Sequence, residues 1–339
     1  MNPHPRSKAI PLTRVAALLR YIRVLEAMGA PIDGLLARAG IPASLLEHPA
    51  AVLSLEKAYR FGELACTTQG TEHLGLLVAL ESSIGDLGVY GQMLEESLTV
   101  HDYLRKGISL YNMLITGQHL WISEHGEELR FNIASIGRPR LSTYLSQTET
   151  LVVTLGVLRE AAGPEWFPGE IHLAYKTREP LPDIELFSGS RIFRGTGETY
   201  FTLPRELMRL RLWGGRRATA RDLELPIWDP LPQDMAGLVR LQTECLLSAR
   251  HLGIDIIAES LAMSKRSLQR GLARQGLSYS QILAQVRTQQ AAHWLENTDK
   301  PISEIAVDLC YTDASNFTRA FRSETGLSPR SFRAKAAKT

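Results

Sequence analysis

The sequence predicts a multidomain chain: an N-terminal α+β domain over 1–213, a linker over 214–235, and an all-α domain over 236–339 with two tandem helix-turn-helix units joined by a long helix. Three observations point there. First, the last hundred residues repeat themselves. Ile257-Ala258-x-x-Leu261-Ala262 returns as Ile305-Ala306-x-x-Leu309-Cys310, Leu268-Gln269-Arg270-Gly271-Leu272 as Phe317-Thr318-Arg319-Ala320-Phe321, and Gly276-Leu277-Ser278 as Gly326-Leu327-Ser328. Second, the first two hundred residues mix helical periodicity with short alternating runs. Third, Gly214-Gly215-Arg216-Arg217 followed by Pro226, Pro230 and Pro232 interrupts both patterns.

In the first domain, Val15, Leu18, Leu19, Ile22 and Leu25 share one face of a helix from Thr13 to Met28, and Gly29 stops it. Short helices are expected at Gly34–Ala39 and Leu53–Cys66. Gly75, Gly85, Gly88 and Gly91 punctuate Leu74–Met93, which reads as two helical pieces in close contact. Leu98–Met113 carries Val100, Tyr103, Leu104, Ile108 and Tyr111 on one side of another helix. His119–Ser123 and Leu129–Ile133 alternate apolar with polar residues around the turn cluster 124–128, the pattern of a β-hairpin. Leu141–Ala162 reads as a long helix, Glu170–Tyr175 as a strand and Leu181–Ser188 as a short helix. Arg191–Phe193 and Thr199–Leu203 are strands on either side of Gly195-Thr196-Gly197. The strands are too few for a barrel.

Motifs for catalysis are lacking here. Gly195-x-Gly197 has no third glycine and opens no helix, unlike a nucleotide loop. His4, His48, His73, His101, His119, His125 and His172 show no HxxxH or HExxH spacing and read as surface or core residues. Ser83 and Ser97 lie in no G-x-S-x-G elbow. Cys66, Cys245 and Cys310 are scattered, without a CxxC or a metal-ligand pattern, which fits a reducing cytoplasm. Neither cofactor nor metal is expected. Trp121, Trp166 and Trp213 are core residues or the wall of an apolar pocket, and no effector-binding residue can be named. The first residues hold no signal peptide, and no run approaches the roughly 18 apolar residues of a membrane helix. A soluble cytoplasmic protein without a membrane partner is expected.

Charge separates the two halves. From Ala236 onward, fourteen Lys and Arg face nine Asp and Glu, a net of +5; the preceding residues hold 24 against 27, a net of −3. A basic tail behind a mildly acidic domain suggests a polyanion partner for the tail. Its first helix is expected over Ala236–Ser248. In the first helix-turn-helix, about 254–276, Ser264 caps a helix from which Lys265, Arg266, Ser267, Gln269 and Arg270 project, with Leu268 and Leu272 facing the core. In the second, about 302–326, Pro301 suits a first helical turn. There Asp313 caps, Phe317, Ala320 and Phe321 face inward, and Gly326 ends the helix. Ser315, Asn316, Thr318, Arg319 and Arg322 are left outside, and Ser328-Pro329 starts one more helix.

A Ser278-x-x-Gln281 capping box opens the linking helix, 278–297, with Ile282, Leu283, Val286, Trp294 and Leu295 on its apolar side. About nineteen residues at about 1.5 Å each span about 28 Å. That is near the roughly 34 Å of one DNA turn, so the two units would enter successive major grooves of one duplex face. Arginine suits guanine O6/N7 and glutamine suits adenine N6/N7, each worth about 1–3 kcal/mol of discrimination. Arg274 and Arg322 lie farther along and are expected on phosphate, as are Lys265, Ser267 and Thr318.

Residues 240–333 resemble the DNA-binding domain of the AraC/XylS family of bacterial transcription regulators. The matching residues are Ser264, Leu268-Gln269-Arg270 and Gly276, then Arg287 and Ala291, then Ile305-Ala306, Tyr311, Asp313, Ser315, Phe317, Arg319, Phe321, Gly326, Ser328-Pro329 and Arg333. The resemblance implies base reading by Arg266, Gln269 and Arg270 and by Ser315, Asn316 and Arg319. The family usually carries glycine where Ala262 and Cys310 stand, so an adjusted turn is expected at both. The first two hundred residues are similar to the non-cupin α+β effector domain of one branch, through Gly75-Leu76-Leu77, Leu98-Thr99 and the block 186–207. Within that branch the chain is similar to the ornithine utilization regulators, which implies an amino-acid inducer; no residue by itself shows ornithine. The resemblance further implies an activator rather than an enzyme, with double-stranded DNA, RNA polymerase, a small-molecule inducer and a second copy of the chain as partners. The alternative is an enzyme or a cysteine-based sensor fused to a DNA-binding tail. Cys66 is the candidate nucleophile, and Cys310, beside a reading helix, is a candidate redox sensor against a buried apolar role.

Overall fold

The computed structural model describes residues 10–212, 229–247 and 253–336. They gather into two compact units, a mixed one of Pro11–Ala43 with Leu53–Leu231 and a helical one of Ser44–Val52 with Pro232 onward. Residues 213–228, most of the expected linker, lie outside the described residues, as do Trp213 and His4.

In the mixed unit, β1 (Leu12–Arg14) leads into α1 (Val15–Ala27). Val15, Leu18, Ile22 and Leu25 are buried as their spacing predicts, whereas Leu19 is half-buried and Arg20 is only 1 % exposed. α2 (Ile32–Ala39) ends on Gly40, and β2 (Val52–Ser54), a strand too short to show a period, pairs with β1. After α3 (Leu55–Gln69), the glycine-rich stretch forms three pieces rather than two: α4 (Leu74–Leu80), a 3-10 turn at Ile84–Leu87, and α5 (Val89–Glu95). Two glycines explain the close packing. A Cβ on Gly75 would lie 2.1 Å from the Leu145 carbonyl oxygen, and one on Gly91 would lie 1.9 Å from that of Ile84. α6 (Val100–Leu110) is capped by Thr99, whose hydroxyl accepts from the Asp102 amide at 3.1 Å.

The hairpin is tighter than the sequence suggests. β3 (Gln118–His125) and β4 (Glu128–Ser135) run almost to their turn, where Gly126 takes φ 59°. α7 (Leu141–Ala162) has the expected bounds and packs on β4. β5 (Glu170–Leu173), β6 (Arg191–Arg194) and β7 (Thr199–Pro204) complete a sheet ordered β3-β4-β7-β5-β6, antiparallel except for β5 and β6. The expected helix at 181–188 is only a 3-10 turn, Glu185–Phe187. Phe131 faces Phe201 across β4 and β7 with ring centroids 5.4 Å apart, the centre of the sheet's buried side. Several buried polar groups on α7 find partners, on the helix itself or on the sheet. Thr148 and Thr154 donate to carbonyls four residues back, and Gln147 bridges Thr199 at 2.7 Å and Ser135 at 3.1 Å.

Neither described tryptophan is a core residue: Trp121 is 41 % exposed on β3 and Trp166 is half-buried. His73 is a core residue, bonded to the Tyr144 hydroxyl at 2.8 Å and the Pro180 carbonyl at 2.9 Å. His172 stacks against Phe193 and Tyr200.

The helical unit comprises α8 (Met235–Leu247), α9 (Ile254–Ser260), α10 (Lys265–Ala273), α11 (Tyr279–Asn297), α12 (Ile302–Asp308), α13 (Ala314–Thr325) and α14 (Pro329–Ala336). Ser44–Val52 completes it. The Gln242 amide, wholly buried on α8, accepts from the Val52 N–H and donates to the Val52 carbonyl, both at 2.8 Å, and to the Ser260 hydroxyl at 2.9 Å. Unpaired, that buried amide would cost about 1–3 kcal/mol.

Candidate nucleic-acid interface

The two helix-turn-helix units are built alike. Ser264 accepts from the Ser267 amide at 3.1 Å to start α10, and Asp313 accepts from the Asn316 amide at 2.7 Å to start α13. Pro301 serves as the N-cap of α12 rather than its first helical residue. Leu268 and Leu272 in one unit, and Phe317 and Phe321 in the other, are at most 1 % exposed and fix which face each helix turns outward. The extra residue of the second unit's turn, Leu309–Asp313 against Leu261–Ser264, accounts for the first change in repeat offset. The second change falls at the helix end, where α13 continues to Thr325.

Both turns keep the left-handed residue that glycine would normally supply. Ala262 has φ 54° and Cys310 has φ 57°, the only two such non-glycine residues among the described ones. The next amides reach back five residues, Met263 to Ala258 at 2.9 Å and Tyr311 to Ala306 at 3.0 Å, closing the same helix-ending loop. The expected adjustment of the turns is therefore absent; the chain retains the geometry with a strained side-chain-bearing residue. A left-handed alanine-like residue costs roughly 1–2 kcal/mol, offset by about 0.4–1 kcal/mol of unfolded-state entropy that glycine would add. Ala262→Gly and Cys310→Gly should each stabilise the chain by up to about 1 kcal/mol in urea melts; a loss of stability would remove strain as the explanation.

Arg287 of α11 braces the second turn. Its guanidinium donates to the Cys310 carbonyl at 3.0 Å and lies 4.6 Å from the centroid of the Tyr311 ring. The sequence marks this arginine only by family likeness, because its partners come from 23 residues away. Arg240 of α8 meets Gln285 of α11 at 2.6 Å, and the Ser278–Gln281 capping box forms in full. α11 thus holds the first and last helices of the unit to one rod of about 28 Å.

Arg266, Gln269 and Arg270 on α10 and Arg274 just past its end are exposed, and none of their side chains forms a hydrogen bond or ion pair with the described residues. Lys265 pairs with Asp255 at 3.0 Å, both well exposed, an interaction weak enough for a phosphate to displace. Ser267 is tied into the cap through the Ser264 hydroxyl at 2.9 Å. On α13, Ser315 and Arg322 are exposed and Thr318 is half-buried. Asn316 is engaged: its amide nitrogen donates to Thr312 and Asp313, each at 2.7 Å, and its oxygen accepts from Arg319. Asn316 therefore positions Arg319 in this state, and its own amide is free for a base edge only if the cap network opens. The six positions named for base contacts lie on the first two turns of α10 and α13, three per unit.

The cysteines differ in setting. Cys66 is buried, and desolvation pushes its thiol up to about 12. A raised pKa leaves almost no thiolate at neutral pH, so iodoacetamide should label Cys66 only after denaturation; fast labelling at Cys66 itself in the native chain, read by peptide mapping, would restore it as a nucleophile. Cys310 is half-buried rather than buried, with its sulfur 3.9 Å from the Leu247 and Asp308 carbonyls. Among the described residues no group of three or more metal-ligating side chains comes together, and no helix is long and apolar enough to cross a membrane.

Comparison with known proteins gives matches to both halves. Residues 29–212 match the family described as the arabinose-binding domain of AraC transcription regulator, N-term, and residues 257–335 match a helix-turn-helix domain family. The ornithine utilization regulator of Pseudomonas aeruginosa is 45% identical over 80 residues, 24% of this chain and 24% of that protein. The HTH-type transcriptional regulator VirS of Mycobacterium tuberculosis is 36% identical over 110 residues, 32% of this chain and 31% of that one. The HTH-type transcriptional activator RhaS of Escherichia coli is 34% identical over 80 residues, 23% and 29% respectively. These matches span only about a quarter to a third of each relative's length.

Proposed function

The chain belongs to the AraC family of transcription regulators, and on that premise we propose that it is a sequence-specific DNA-binding activator answering to a small metabolite. The observation that carries this reading is the pair of like-built units on one rod, each turning an arginine-bearing helix face outward. Arg266, Gln269 and Arg270, with Ser315, Asn316 and Arg319, read base edges. Lys265, Ser267, Arg274, Thr318 and Arg322 meet the phosphates. The mixed unit takes the effector, and the protein works in the cytoplasm as a homodimer in contact with RNA polymerase. The relative named for ornithine utilization supports an amino acid as one inducer to try. The domain division proposed is an effector domain to about 213, a linker to 235, and the DNA-reading domain beyond.

The direct test is selection of DNA from a random library by the full chain, followed by footprinting. An asymmetric protected stretch of roughly two helical turns per protomer is expected, with affinity falling steeply as salt rises. Retention of DNA without any sequence preference would overturn the reading.

A further inference from the structure

A cavity in the mixed unit is walled by α1, the 3-10 turn at Ile84–Leu87, α5, α6, α7 and the β3–β4 hairpin. It has about 620 Å³ of space free of protein atoms, part of it open to solvent. Its wall is mostly apolar, with Leu87, Leu94, Leu104 and Phe131 among its residues. The wall's tyrosine hydroxyls already have partners: Tyr90 donates to the Gly107 carbonyl at 3.1 Å, Tyr111 meets Thr150 at 3.1 Å, and Tyr103 pairs with Thr154.

One group in the wall is left incomplete. Arg20 is 1 % exposed, and its Nη1 donates to Glu149 Oε1 at 2.6 Å. Its Nε and Nη2 have no partner. Those two nitrogens form the side edge of the guanidinium, whose parallel N–H bonds match the two oxygens of a carboxylate. A buried guanidinium with two of its three nitrogens unpaired is costly to maintain. Glu149 also takes the Tyr21 hydroxyl, and burial raises its carboxyl above the usual carboxylate range.

We propose that this cavity is the effector site and that it takes a compact monocarboxylate with an apolar body, its carboxylate on the Nε–Nη2 edge of Arg20 and its body against the leucine and phenylalanine wall. This rests on the reading of the mixed unit as an effector domain. Glu149, also in the wall, holds the third nitrogen and leaves the other two without a protein partner, while its charge limits the affinity for a second anion.

The experiment uses the full chain, with hexanoate as probe and hexanamide as its neutral counterpart, in thermal melts and calorimetric titrations. Hexanoate should raise the melting temperature, since a ligand of the native state stabilises by mass action. Hexanamide should bind about tenfold or more weakly, the difference expected for a charge-assisted pair. Arg20→Lys keeps a cation beside Glu149 but lacks the two-nitrogen edge, and should weaken hexanoate by about tenfold to a hundredfold. Glu149→Gln removes the competing charge and should tighten binding. Equal effects of hexanoate and hexanamide, no effect of either, or unchanged affinity in Arg20→Lys would each overturn the proposal. A footprint that forms normally while hexanoate does nothing would leave the regulator reading standing and remove only this one.

Discussion

Replacing Arg270 and Arg319 together with alanine is expected to erase the chain's preference for its own site while leaving its melting temperature unchanged. Both side chains are exposed, and neither helix depends on them for its core. Exposed positions of this kind change stability by no more than about 0.5 kcal/mol. Each bidentate contact with guanine is worth about 1–3 kcal/mol against the wrong base, or roughly tenfold to a hundredfold in affinity. Losing one from each unit therefore removes much of the roughly 4–10 kcal/mol that separates specific from non-specific binding. Arg322→Ala, by contrast, should weaken all sequences alike and flatten the salt dependence. Fluorescence anisotropy on a selected site and on a scrambled duplex separates the two outcomes. Normal discrimination by the double variant would show that the reading faces lie elsewhere.

Phe317→Ala, two residues from Arg319 on the same helix, should have the opposite character. Its ring is 1 % exposed, 5.5 Å from Tyr311 and 5.7 Å from Phe321, which in turn meets Phe332 at 5.3 Å. This aromatic row joins the turn, α13 and α14, so truncation opens a cavity at the centre of the unit. A buried phenylalanine replaced by alanine costs about 3–5 kcal/mol, a large share of the 5–15 kcal/mol that holds a typical domain folded. Urea melts should show that loss directly, and binding should fall for every DNA sequence at once. A variant that melts like the parent would mean the second unit is held from outside this row.

The helical unit was legible because its signals are local and doubled. Ser264, Asp313 and Ser278 cap where their side chains suggest, and the repeat places each core residue twice. α7 was legible for its length, which averages out individual exceptions such as its buried threonines. Three-residue strands such as β1 and β2 carry no period, and a break in a helix shorter than a turn, as at Ile84–Leu87, looks like continued helix. The exposed positions proposed for base contact could be named, but the engagement of Asn316 could not. Whether an amide faces a groove or its own helix cap depends on Thr312 and Asp313 in three dimensions. Arg20 was passed over for a related reason. On a helical wheel an arginine is assigned outward by chemistry, and only the position of Glu149, 129 residues later, reverses that.

The pairing of Gln242 with Val52 also sets an order of assembly. The two residues are 190 apart in the chain, so at a synthesis rate of about 5–20 residues per second Val52 emerges roughly 10–40 s before its partner. The helices that would read DNA are thus among the last residues made, yet the unit they belong to packs on a strand residue from among the first. A fragment begun at Pro232 would hold both helix-turn-helix units and still leave a buried amide without its backbone partner.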